Sequence, residues 1–274
     1  MQRILSAIVG LTLMTGLMTG CTSQRLASAQ RTAASYLVSD QQEEQLGQQV
    51  KTELETKEKI KYVEDPAVVE YVRTLSTPIL QAANRDRKGV KWKVNVIDDP
   101  KTVNAFATPG GYLYVYTGLL LAADNEAEVA GVMAHEAGHV VGRHSARAMI
   151  LQYGQQAIID AALGKNQGTV GQIAAGLAGT GVGLAYSRGN ETEADEYGAR
   201  YSAAAGYDPH GLATFFGKLA AGEGKTPGVL KWLSTHPPSS ERMAHINDYI
   251  AKNRLSGSNL GAERLAAIKQ SLRK

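Results

Sequence analysis

The segment that most constrains this chain is His135-Glu136-Ala137-Gly138-His139, set in an apolar stretch from Val129 to Val141. Val129, Val132, Met133, Val140 and Val141 read as a helix buried over most of its surface. Asp124-Asn125-Glu126 opens it with a capping side chain and acids in the first turn. The apolar pattern predicts that the helix continues to about Leu163. Histidines at i and i+4 of a helix share a face, so His135 and His139 can bind one zinc ion together. Glu136 lies beside them and can act as the base on a zinc-activated water. Buried imidazoles and a buried carboxyl need partners, and a metal site supplies them.

A hydrolytic zinc site takes three protein ligands and keeps one open position. The chain has a single cysteine among 274 residues. That excludes an intrachain disulfide framework and any multi-cysteine metal site, so His and acidic residues must hold the ion. Glu191-Thr192-Glu193-Ala194-Asp195 offers carboxylates. Glu191 and Asp195 share a helix face, while Glu193 is expected to point elsewhere, into solvent. On spacing alone the cluster reads by default as an acid-rich helix N-terminus. On spacing alone, too, His236 before Pro237-Pro238 is a turn residue. His144 is expected to pack or hydrogen-bond near the site, and His210 and His245 to be structural or solvated.

The rest of the chain reads as mainly helical, with a small sheet between helical blocks. Asp40 to Lys59 is amphipathic, with Leu46, Val50 and Leu54 at helical spacing. Asp65-Pro66 caps a second helix carrying Val69, Val72, Leu75, Ile79 and Leu80. Val90 to Ile97 alternates as a half-buried strand, and Pro109-Gly110-Gly111 joins two further strands as a hairpin. Gly168 to Ser187 carries six glycines and no charge, and reads as a packed helical hairpin or a loop. Helices follow over 190–205, 209–221 and 238–254. The net charge of +3 comes with no long basic run, which gives nucleic-acid binding no electrostatic support.

Residues 1–20 have a basic start, an apolar middle and small residues before Cys21, the pattern of a secretory signal peptide. Met18-Thr19-Gly20-Cys21 resembles the bacterial lipobox, with Met18 where leucine is usual. The resemblance implies cleavage before Cys21, a lipid on that cysteine and a membrane anchor. Thr22-Ser23 after it implies outer-membrane rather than inner-membrane sorting. The organisation expected is therefore a signal at 1–20, a tether at 21–39, a main domain at 40–255, and a linker with a short helix at 256–274.

His-Glu-x-x-His followed about fifty residues later by Glu191-Thr192-Glu193-Ala194-Asp195 resembles the M48 family of zinc metallopeptidases, the Ste24/HtpX-like superfamily. Asn104-Ala105-Phe106-Ala107-Thr108-Pro109-Gly110-Gly111, His139-Val140-Val141-Gly142-Arg143-His144, and Thr235-His236-Pro237 with Arg242 extend the likeness over about residues 60–250. Several members span membranes; this chain is more similar to periplasmic, lipoprotein-type members. The resemblance implies an α+β, mainly α, zincin-like domain with about three strands beside the active-site helix. It implies Glu191 as third zinc ligand, one zinc per chain, and Asp195 orienting a ligand histidine. It also implies that His236 and Arg242 face the metal, where they stabilise an oxyanion or gate the open position. Hairpin position and family likeness together suggest that Asn104, Ala105, Phe106 and Ala107 receive an extended substrate by strand addition. The function implied is a zinc endopeptidase of the bacterial envelope acting on misfolded or misassembled proteins. The alternative is a latent or non-proteolytic zinc-containing assembly factor.

Overall fold

A computed structural model describes residues 38–184, 186–222, 235–237 and 239–273. The expected signal at 1–20, Cys21 and nearly all of the tether lie outside the described residues.

Helix α1 spans Asp40–Thr56. Ser39 accepts from the Gln42 amide, and the Gln42 side chain returns to Ser39, so two amides at the helix start are satisfied. Helix α2, Pro66–Asp86, starts where Asp65 accepts from the Ala67 amide at 2.9 Å. It buries Val68 rather than Val69, together with Val72, Leu75 and Ile79. Strands β1 (Lys93–Ile97), β2 (Ala105–Thr108) and β3 (Tyr112–Tyr116) form one sheet in the order β1-β3-β2. β1 runs parallel to β3, and β2 pairs antiparallel with β3 across the expected turn, with β2 at the edge. The first strand starts at Lys93, later than the alternation from Val90 suggested. Gly110 and Gly111 both have positive φ, +80° and +86°, which is why this turn needs glycine.

The sheet divides two cores by its side-chain alternation. Leu113 and Val115 face the larger core with α2, while Tyr112, Tyr114 and Tyr116 face the core containing Leu46, Val50 and Leu54 of α1. A short helix α3, Thr117–Ala122, leads into α4, Glu126–Val141, whose sixteen residues are all buried. α4 does not continue to Leu163. Gly142 ends it and Arg143 takes a left-handed φ of +56°, so the chain turns into α5, His144–Tyr153. Gly154, at φ +86°, breaks the path again before α6, Gln155–Ala162. The glycine-rich stretch is not a helical hairpin: α7, Gln167–Ala178, ends at left-handed Gly179, and the residues described from there to Ser187 are irregular.

Helices α8 (Arg188–Ala204), α9 (Gly211–Ala221), α10 (Ser240–Asn253) and α11 (Ala262–Leu272) complete the described fold. α4 packs against α8, α9, α2 and β2. The terminal segment after 255 packs on this body: Leu265 is buried in the larger core, and Leu260 O accepts the Glu126 amide at 2.7 Å. Among the described residues, no helix is long and apolar enough to cross a membrane. The fold is mainly helical α+β with a three-stranded mixed sheet beside the helix that carries His135 and His139.

Candidate metal centre

The site forms where α4 and α8 touch. Gly138 makes this approach possible: a Cβ there would stand 2.8 Å from Tyr197 Cβ and 3.2 Å from Ala194 Cα. At that separation the Glu191 carboxylate of α8 reaches the two histidines of α4. His135 Nε2 lies 3.0 Å from His139 Nε2, and Glu191 oxygens lie 3.6 and 3.5 Å from those same nitrogens. His236 arrives from the segment before α10 and places Nδ1 3.1 Å from Glu191 Oε1 and 3.3 Å from His135 Nε2. One donor atom from each of these four buried residues lies within 4.8 Å of the others.

These spacings fit a small divalent cation. A tetrahedron with zinc–nitrogen bonds of about 2.0–2.1 Å has edges of about 3.3 Å. Three nitrogens and a carboxylate facing one point, away from water, are also costly without a cation between them. The protonation tendencies of Glu191 and His139 agree. Burial would raise the Glu191 carboxyl, but His236, with His135 and Arg242, pulls it down to about 2. Burial, then His135, His144 and His236, holds His139 well below its ordinary value, so it stays a neutral imidazole. Burial opposes charge on His236, but the Glu191 and Glu136 carboxylates outweigh it and raise its pKa.

Each α4 histidine has a polar side chain close to its other nitrogen. His135 Nδ1 lies 2.9 Å from Asp195 Oδ1. Asp195 in turn accepts from Arg242 Nε at 2.8 Å and Nη2 at 2.7 Å. Arg242 Nη1 lies 3.0 Å from Glu191 Oε2, so its guanidinium grips both carboxylates of α8. His139 Nδ1 lies 2.9 Å from His144 Nδ1, and His144 Nε2 lies 3.2 Å from Glu193 Oε2. With His139 Nδ1–H donating to His144, and His144 Nε2–H donating to Glu193, the His139 Nε2 lone pair faces the centre. Glu193 is thus not in solvent; its side chain is only 16% exposed. The helical period places Glu193 off the Glu191 face, but the turn at Gly142 and Arg143 carries His144 round to meet it. His210 and His245 lie outside the cluster, on Asp208 and Glu196.

A groove of about 380 Å³ opens on the centre. Glu136 and His236 line it, with His236 Nε2 3.4 Å from Glu136 Oε1. Asn104, Phe106, Leu177, Leu184 and Tyr186 also line it, with four glycines. Ala105 and Ala107 turn into the larger core instead. Tyr186 has no counterpart in the sequence motifs. Burial, then the Glu136 charge, pushes its hydroxyl above the ordinary range, so it stays protonated.

The sequence profile "Peptidase family M48" matches residues 66–250. The metalloprotease LoiP of Escherichia coli strain K12 is 34% identical over 254 residues, 90% of this chain and 96% of that protein. A putative beta-barrel assembly-enhancing protease of Vibrio cholerae is 32% identical over 231 residues, 75% of this chain and 47% of that protein. The mitochondrial metalloendopeptidase OMA1 of Schizosaccharomyces pombe is 36% identical over 161 residues, 59% of this chain and 47% of that protein. The chain therefore spans about half the length of the last two.

Proposed function

The chain belongs to peptidase family M48 and is a metallopeptidase of that family, and on this premise we propose that it is a zinc-dependent endopeptidase of the bacterial cell envelope. The observation that carries this reading is the convergence of four buried donor atoms, one of them from His236, which lines a groove together with Glu136. His135, His139 and Glu191 would hold one zinc ion. Zinc there would supply Lewis acidity, lowering the pKa of water and polarising a peptide carbonyl.

The chain's own groups do the rest. Glu136 takes the proton of the attacking water and passes it to the leaving amine. His236 Nε2, on the groove side, donates to the carbonyl oxygen as negative charge develops. Asp195 orients His135, and Arg242 fixes Asp195 and Glu191 rather than reaching the substrate itself. An extended substrate adds along the outer edge of β2, with Asn104 and Phe106 facing it and Ala105 and Ala107 supplying backbone. The substrates proposed are misfolded or misassembled envelope proteins, a setting supported by the name beta-barrel assembly-enhancing protease. A lipid on Cys21 would anchor the chain on the periplasmic side, at the outer membrane.

The position of His236 favours a second reading, a latent form. Its Nδ1 stands among the other donors and can fill the fourth position, holding water out until substrate moves it. Glu136→Gln tests the catalytic assignment. The variant is expected to keep its metal while casein cleavage falls by about a hundredfold or more. Cleavage at the wild-type rate would remove Glu136 from the role of base.

A further inference from the structure

Tyr186 stands beside two of the three donor imidazoles. Its ring lies 4.2 Å from that of His139, centre to centre, with 23° between planes. It lies 5.5 Å from that of His236, with 21° between planes. The two imidazoles are themselves 5.1 Å apart at 44°. The three rings close a triangle in which Tyr186 is nearly parallel to both of the others. Offset stacking of this kind is an attractive and directional contact.

The far end of that ring is itself anchored. The Tyr186 hydroxyl lies 3.0 Å from Ser145 Oγ, on the first turn of α5. Ser145 is buried. Tyr186 also sits just ahead of α8, which brings Glu191 and Asp195 to the centre. A donor imidazole must hold its lone pair in the plane that contains the ion, so rotation of the ring misaims it. The hydrogen bond to His144 fixes one direction of the His139 ring; a flat neighbour on its face fixes the other. His236 comes from a different part of the chain, and the same flat neighbour sets its plane relative to that of His139.

We propose that Tyr186 is a positioning residue for the metal donors: its ring sets the planes of His139 and His236, and its bond to Ser145 holds the ring. The proposal rests on the metal-centre reading given above. It distinguishes the ring from the hydroxyl, because the face does the aligning and the hydroxyl only anchors it.

The test uses the full chain as wild type, Tyr186→Phe and Tyr186→Leu. Each is loaded with zinc to follow its release to a chelator, and with cobalt(II) to record the visible absorption band that reports donor geometry. Wild type and Tyr186→Phe are expected to bind one ion per chain with the same cobalt band and release rates within about threefold. Tyr186→Leu is expected to melt like the wild type when metal-free, yet to release zinc about tenfold faster or more with an altered band. Wild-type release and an unchanged band in Tyr186→Leu would overturn the proposal. So would equal damage in Tyr186→Phe, or a metal-free Tyr186→Leu that fails to fold, which would make the residue a packing group. A wild type that takes up no zinc would instead overturn the metal-centre reading.

Discussion

Glu191 and Glu193 sit two residues apart on α8 and serve different histidines. Glu191 points its oxygens at His135, His139 and His236, and Arg242 lies behind it. Glu193 reaches His144, which in turn holds His139. Removing Glu191 deletes a donor and its negative charge; removing Glu193 leaves every donor in place. Glu191→Ala is therefore expected to elute from gel filtration with little zinc. Glu193→Ala should retain close to one ion per chain but lose about tenfold in affinity. Metal analysis and competition with a chelator separate the two outcomes; equal zinc retention in both variants would contradict the assignment. His135, Glu136 and His139 are legible in the sequence because the helical period alone fixes their common placement. The period also puts Glu193 off the Glu191 face. It cannot reveal that Arg143, at positive φ, swings His144 towards Glu193, nor that Tyr186 lies against two imidazoles.

The contact between α4 and α8 is a matter of backbone distance. Gly138 meets Tyr197 and Ala194, and Gly198 meets Leu212 and the backbone of His135, so both helices offer small residues at the crossing. Adding one methyl at Gly138 forces α8 outward, because the nearest atoms belong to a Cβ and to main chain rather than to the tip of a flexible side chain. Gly138→Ala is expected to cost about 1–3 kcal/mol of stability, read as a lower melting temperature, and to speed zinc release as Glu191 withdraws. A variant with wild-type melting and wild-type zinc release would show that the crossing has room to spare. The existence of most of these helices follows from apolar spacing and caps, as with Ser39, Asp65 and Asn125. Their ends are less legible. The stretch after Val141 mixes apolar residues with Arg143, His144, Arg147 and Gln152 and hides two breaks, because Arg143 carries no sequence signal for a left-handed turn.

Across the whole molecule, the sheet stands between two cores and the candidate metal centre lies at the junction of α4 with α8, near the edge strand β2. The first described helix is tied to that junction. Arg143, after α4, donates to Glu43 of α1 at 2.8 Å and to Val38 O at 2.9 Å. Arg87 bridges Glu43 at 2.7 Å and Val140 O at 2.7 Å. Burial raises the Asp40 pKa, but Arg87 and Arg143 outweigh it and hold the carboxyl below its ordinary value. Two arginines thus join the start of the domain to the end of the helix that carries the histidines. The terminal helix joins the other end, through Arg264 and Glu126. Neither link is legible in the sequence, because pairing across about a hundred residues leaves no periodic trace. The central claim for the molecule is that this junction cuts peptide bonds only when it holds a metal. Casein cleavage by the full chain, measured as purified, after chelation and after return of one equivalent of zinc, tests it most directly. Cleavage should be lost on chelation and restored by zinc; cleavage that persists in the metal-free protein would contradict it.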